Sequence, residues 1–297
     1  MLQLGRVVEM DSNAGAALGR THRIGHLVKQ ILVHGFLIFA SVLMLLPFVW
    51  MVLSALKLPF EIAARPVVWL PEVPQWSNFT RAWEMLDFGR LMLNSVIVTV
   101  LTSAGVIMIS SLTGYALAKL DFPGKNVLFV VVLSLMMVPF FMLMVPVYVI
   151  INKLGWVNSL AGVIVPEIAP GFGIFLMRQF MMGLPDELLD AARIDGASEF
   201  RIFWQIAMPL SRAGLTALGV FACIYHWDNF LWPSLILISP ETMTIPIGLH
   251  RLYQPNLFSM YNVFMAGSTL AILPMLIFFF IAQRHFIEGI AMTGIKE

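Results

Sequence analysis

Tyr225-His226-Trp227-Asp228-Asn229 puts a phenol, an imidazole, an indole, a carboxylate and a carboxamide at five consecutive positions. Such a set could hold a sugar, because aromatic rings stack on its apolar faces while polar groups hydrogen-bond its hydroxyls. The plainer use of Asp228 and Asn229 is to bond neighbouring helices, at about 0.5–2 kcal/mol each in a membrane. Glu167 stands between Pro166 and Pro170 in PEIAPGFG. Irregular backbone at that depth is tolerated where it is buried or lines a cavity, so Glu167 reads either as a path-facing acid or as an acid at an outer mouth. Ser110, Ser111 and His226 are the residue types of a hydrolase, yet no GxSxG or paired-His signature accompanies them. His226 is more simply a packed or interhelical side chain. Cys223 is the single cysteine and can make neither an internal disulfide nor a Cys-type metal site. No HExxH, CxxC or EF-hand spacing occurs, and Gly171 to Gly173 lacks the lysine and length of a phosphate loop. The sequence therefore points to no catalytic residue, metal ligand or cofactor in this chain.

A second concentration of chemistry lies in DELLDAARIDGASEFRIFWQIAMPL, residues 186–210. Pro185 suits the first turn of a helix, where its missing N–H costs nothing. Asp186 and Glu187 complement the positive end of the dipole. Gly196 falls where a helix ends on a left-handed residue, and Ser198 can cap a second helix with Glu199 in its first turn. That second helix runs through Phe200, Phe203, Trp204 and Ile206 to Pro209. Small residues on the first helix permit close approach to another surface. Two readings follow: a docking element for a partner, or a loop folded back on its own spans.

The elements that must position these residues are membrane helices. The chain is 59% hydrophobic and 12% charged, half the charge of an ordinary soluble domain, with a mean hydropathy of +0.86. A net charge of +1 leaves no footprint for nucleic acid. Crossing a bilayer core takes about 20 apolar residues. Six runs qualify: 31–55, 91–117, 127–150, 160–177, 213–238 and 263–282. Continuous apolarity without alternation selects helices over a barrel. The first run exceeds the length of a secretory h-region and has no small-residue cleavage site, so it reads as a retained span. With the N-terminus inside, twelve of the 18 basic residues fall in inner segments, which favours both termini in the cytoplasm. Trp69, Trp76 and Trp83 lie in the 56–90 loop among prolines and read as interfacial anchors or partner contacts. The 20 methionines, including Met136 and Met142 in mid-span, read as adaptable packing.

The residues also match a family. Asp190-Ala191-Ala192, three residues, Gly196, nine residues and Ile206-Ala207-Met208-Pro209 resemble the EAA loop of permease subunits of binding-protein-dependent ABC importers. In that pattern Glu-Ala-Ala, three residues, Gly and nine residues precede Ile-x-Leu-Pro; Asp190 here replaces Glu and Met208 replaces Leu. LPFVWMVLSALK, the stretch from Asn94 to Lys125, WDNFLWPSLIL and the tail AQRHFIEGIAMTGIKE resemble the carbohydrate branch, the maltose-type second permease. Residues 1–25 lie outside the resemblance.

The resemblance implies an all-α integral membrane protein with the six-helix core of a type I ABC importer permease. It would comprise a cytoplasmic segment 1–30, a transmembrane domain 31–282 and a cytoplasmic tail 283–297. The coupling loop would be 183–212 and the periplasmic loop 56–90. Asp190, Ala191, Ala192, Asp195, Gly196 and Ala197 would dock in a cleft of an ATPase subunit, Asp190 facing a basic residue there, and the tail would lie on the ATPase pair. Glu167, Tyr225, Trp227, Asp228 and Asn229 would line the substrate path, although in the maltose system the sugar contacts lie mainly on the other permease. Implied partners are a second homologous permease, two ATPase subunits that bind ATP and Mg, a periplasmic solute-binding protein and a sugar or oligosaccharide, in a bacterial inner membrane. An ion-driven secondary transporter is the alternative. It predicts inverted repeats and several buried carboxylates, and only Glu167 and Asp228 are available.

Overall fold

The computed structural model describes the backbone of residues 2–253 and 260–294, and side chains over 29–253 and 260–283. The side chains expected to form the N-terminal segment before Lys29 and the tail beyond Gln283 lie outside the described residues. Every described element is helical, and none of the described residues forms a strand. The chain divides into two units, Met1–Leu53 and Ser54–Glu297. The first unit lies within one continuous helix, α1 (Leu2–Ala55), whose Ile31, Phe36 and Leu43 are exposed, as lipid-facing side chains are.

The second unit is organised around α4 (Phe88–Lys119), a helix of 32 residues and therefore about 48 Å long. It packs against α8 (Gly171–Met182) and α12 (Arg212–Asp228). Small residues set these distances, as expected where packing rather than water drives helix association. A Cβ on Gly173 would lie 2.4 Å from Ser110 Oγ, and one on Gly114 would lie 2.8 Å from the Arg178 amide. The helix α15 (Tyr261–Gly294) packs on α12 and on α3 (Ser77–Met85).

Among the described residues three helices are long and apolar enough to cross a membrane, or up to six if each of three bent pairs is one span. The six expected helical runs are thus only partly continuous. Run 127–150 bends by 103° between α5 (Lys125–Met137) and α6 (Phe140–Lys153). Pro139 lacks an N–H and pushes Val138 into extended backbone. Run 160–177 bends by 44° between the segment Leu160–Glu167 and α8, where Pro170 starts α8 from an extended conformation. Run 213–238 stops as a helix at Asp228, with Asn229 extended at ψ 120°.

The start of α4 is tied to distant loops. Asn94 Nδ2 donates to the carbonyls of Glu241 and Met243, both at 2.9 Å, and Ser95 Oγ accepts from the Ile245 amide at 2.8 Å. Asn158, at a positive φ of 62°, gathers the Ile238 and Ser239 amides on Oδ1 at 3.0 Å. In the 56–90 loop Lys57 is fully buried, its Nζ donating to the Val68 carbonyl at 2.6 Å. Trp69, Trp76 and Trp83 in the same loop are exposed.

Candidate functional site

The end of α4 carries the hairpin. Its first helix, α9 (Asp186–Ile194), is preceded by Pro185 in an extended conformation at ψ 126°. Pro185 is therefore the residue before the helix and not a member of its first turn. Gly196 takes a φ of +80°, and the Gly196 and Ala197 amides return to the carbonyls of Arg193 and Ala192 at 3.0 and 2.9 Å. A left-handed residue with this paired bonding closes a helix. Ser198 Oγ then accepts from the Arg201 amide at 3.4 Å, capping α10 (Glu199–Ile202). The chain continues through a π-helical turn, Phe203–Ala207, into α11 (Met208–Leu210).

Two polar clamps fix this hairpin to α4. Lys119 Nζ donates to Asp186 Oδ1 at 2.6 Å and to the Leu184 carbonyl at 2.7 Å. Its hydrogen bond holds the Asp186 carboxyl below the usual carboxylate range. Arg193 reaches Glu199 at 2.7 Å and Asp190 at 2.6 Å, and Tyr115 donates its hydroxyl to Glu199 at 2.6 Å. The hydrogen bond from Arg193 holds the Glu199 carboxyl low, and Glu199 and Asp190 in turn raise the Arg193 guanidinium. Below these clamps Leu189, Ile202, Phe203 and Ala207 are buried with Tyr115, Met177 and Met181.

The opposite face is open. Asp190, Ala191, Asp195 and Gly196 are exposed, whereas Ala192 and Ala197 are half-buried against the cluster beneath. Within this chain Asp190 is already paired with Arg193. Ile194 is 86% exposed, and the sequence reading did not single it out. The signal was present: an aliphatic residue ends a helix whose buried contact, Leu189, lies five residues earlier, about 140° round a helix. Phe200, two-thirds exposed, joins it.

Glu167 and the 225–229 cluster separate into three groups. Glu167 is nearly buried and accepts two hydrogen bonds from Asn229 Nδ2, at 2.9 and 3.1 Å. His226 Nδ1 stands 3.5 Å from the same carboxylate, but it is not aligned as a hydrogen bond and has no other partner. Glu167, Tyr225 and His226 line a cavity of about 570 Å³ walled by Phe140, Phe172 and Phe221. Trp227 is buried in the apolar cluster around Phe88 and Trp232. Asp228 is exposed and does not line that cavity. Of the five residues expected on a substrate path, Glu167 and Tyr225 line this cavity, Asn229 bonds Glu167, and Trp227 and Asp228 do not line it. No Lys or Arg lines the cavity. Among the described residues no three His, Cys, Asp or Glu side chains converge as a metal site. Ser110 and Ser111 are fully buried and their hydroxyls unbonded, so neither is placed as a nucleophile open to water.

An all-helical membrane protein carrying a clamped, two-faced hairpin is the class that the geometry defines. The family model for "Binding-protein-dependent transport system inner membrane component" matches residues 110–291, and the chain belongs to that family. It is 36% identical over 273 residues to the arabinooligosaccharides transport system permease protein AraQ of Bacillus subtilis, covering 91% of this chain and 96% of that protein. It is 32% identical over 268 residues to the sn-glycerol-3-phosphate transport system permease protein UgpE of Yersinia pestis, covering 88% and 95%. Among solved structures it resembles a bacterial ABC transporter involved in the import of the acidic polysaccharide alginate, with a TM-score of 0.76 at 23% identity, covering 90% of this chain and 98% of that one. That likeness shows the fold. The chain is a membrane-embedded transport subunit without catalysis of its own, and the ion-driven alternative has no support in these relationships.

Proposed function

We propose that this chain is one of two homologous permease subunits of a bacterial inner-membrane importer for a sugar or oligosaccharide, energised by two ATPase subunits that bind ATP and Mg. It spans the membrane six times with both termini in the cytoplasm, and a periplasmic solute-binding protein delivers the substrate to its opposite side. The hairpin 183–212 is the coupling loop, seated in the ATPase through Asp190, Ala191, Asp195, Gly196 and the exposed Ile194. Ala192 and Ala197 serve the same contact from behind, by letting α9 lie close on its own spans. The carrying observation is the two-faced hairpin: one face clamped to α4 through Lys119 and Tyr115, the other exposing Ile194. A rigid lever with a bare apolar tip transmits a push from a partner into the bundle.

Two of the named relatives, for arabinooligosaccharides and for sn-glycerol-3-phosphate, frame the substrate class. The cavity at Glu167, Tyr225 and His226 supplies an acid, a phenol, an imidazole and aromatic walls without a lysine or arginine among the described residues, which suits a neutral saccharide better than a phosphorylated one. Asn229 holds Glu167 in place, and Trp227 serves the path only through the apolar cluster in which it is buried. The test of the coupling role is Gly196→Pro, which forbids the positive φ at the corner, alongside Asp190→Lys. Both variants are expected to insert in the membrane, lose uptake and co-purify poorly with the ATPase. Normal uptake in both contradicts the reading.

A further inference from the structure

Arg178, on α8 one turn before the hairpin, is a charge without an acid. It is half-buried, its Nε donates to the Leu117 carbonyl at 3.2 Å and its guanidinium carbon lies 3.8 Å over the Phe129 ring. It makes no ion pair among the described residues. Those contacts use one nitrogen and one face of the group, leaving donors of the planar fork that fits phosphate oxygens in pairs.

Arg178 lines an open cavity of about 820 Å³ with Lys125, Asn126 and the Asp121–Gly124 turn. This turn delivers the start of α5. Gly124 takes a φ of +84°, and no side chain caps the 13-residue helix that follows. The Lys125 amide donates to the Phe122 carbonyl at 3.4 Å, and Asn126 and Val127, whose amides follow at the positive end of the helix dipole, line the same cavity. Lys125 adds a second cation, 3.4 Å from the fully exposed Asp121 carboxylate. Asp121 offsets Lys125 in part, and Arg178 has no such counterweight.

The surroundings say which anion. Val127, Leu128, Val131 and Leu135 run up α5 exposed, and Met182 on α8 is exposed at the cavity rim. Cationic groups at the end of membrane helices, with an uncovered apolar strip leading away from them, match the two halves of a phospholipid. We infer that the cavity between the α4–α5 turn and α8 binds the headgroup phosphate of an anionic phospholipid, with Arg178, Lys125 and the α5 N-terminus as ligands and the α5 strip as the acyl track. This needs only that these helices span a membrane; it stands apart from the docking and sugar readings.

The experiment uses the purified full-length chain in a neutral detergent. Its unfolding midpoint is titrated with dioctanoyl phosphatidylglycerol, with dioctanoyl phosphatidylcholine and with inorganic phosphate, since a ligand that binds only the folded state raises the midpoint in proportion to its affinity. Phosphatidylglycerol is expected to act saturably and at least about fivefold more tightly than phosphatidylcholine, the factor corresponding to about 1 kcal/mol per basic side chain at a membrane surface. Lys125→Gln and Arg178→Gln are each expected to weaken phosphatidylglycerol by about fivefold or more, with Arg178→Lys restoring part of the loss. Asp121→Asn, on an exposed side chain, is expected to tighten it. That variant carries the test even if Arg178→Gln unfolds the chain, because a gain of affinity cannot come from damage. Equal action of the two lipids, or no tightening in Asp121→Asn, overturns the inference. An equal shift with inorganic phosphate alone overturns the lipid assignment and leaves a free-anion site.

Discussion

The hairpin and the cavity at Glu167 both gather acids, bases and aromatics, and they treat them in opposite ways. At the hairpin the charges on the α4 side are paired at 2.6–2.7 Å, and the outer face exposes Ile194 at the tip between Asp190 and Asp195. At the cavity the walls are apolar, and what remains unsatisfied is polar: His226 Nδ1 approaches Glu167 only to 3.5 Å without a hydrogen bond. On the proposed reading, a face that bares an aliphatic residue beside acids suits a protein partner. On the proposed reading, an aromatic-walled cavity that leaves an imidazole nitrogen without a hydrogen bond suits a small polar molecule.

The largest effect that sharpens this contrast is expected from Ile194→Asp. Ile194 is 86% exposed and supports nothing in the chain, so the variant should insert normally. A buried interface anchor contributes about 2 kcal/mol or more. ATPase co-purification should fall by roughly 30-fold or more, with uptake abolished. Glu167→Gln comes next and should do the reverse. ATPase association stays intact, while uptake falls by roughly 2- to 30-fold, the range of about 0.5–2 kcal/mol for a polar contact inside a membrane. If both variants damage the same readout, the two regions are not separate sites.

Arg193→Gln breaks the links to Asp190 and Glu199 together. Because all three side chains are at least a third exposed, the loss is about 0.5–1 kcal/mol, read as faster hydrogen exchange over residues 186–202 and a few-fold drop in uptake. The smallest expected effect is on pH. Asp186 and Glu199 are held below the ordinary carboxylate range by Lys119 and Arg193. A depressed carboxyl contributes stability above its unfolded value, about 4, and loses it as pH falls through the folded value. Protection of the hairpin amides, corrected for intrinsic exchange, should therefore be flat from pH 5 to 8 and decline only below about pH 4.

Much of this architecture is legible in the sequence because lipid imposes a simple code. Long apolar runs must be helices, and Pro185, Gly196 and Ser198 punctuate the hairpin through local backbone chemistry that needs no tertiary knowledge. Pro139 and Pro170 carried a warning too, since each disfavours helical backbone in the residue before it, yet hydropathy averaged over a run hides a 103° bend. What the sequence could not show is pairing across the chain. Arg193 and Tyr115 meet at Glu199 from elements 84 positions apart in one case and six in the other, and nothing local marks Tyr115 for that role. The same limit hid the division of the 225–229 cluster. One helical turn sends successive side chains in different directions, so Tyr225 and His226 reach the cavity while Trp227 joins the core. The burial of Lys57 is a third case, its Nζ hydrogen-bonded to the Val68 carbonyl eleven positions on.

The coupling role is tested most directly by a cross-link from the tip of the hairpin. Cys223, the single cysteine, is replaced by serine, Ile194→Cys is introduced, and the assembled transporter in membrane vesicles is treated with a short bifunctional thiol reagent. The account predicts a product joining this chain to the ATPase subunit, with yield changing on addition of ATP and Mg. Labelling of that cysteine by a membrane-impermeant reagent from the periplasmic side, or no ATPase product in either nucleotide state, would contradict it.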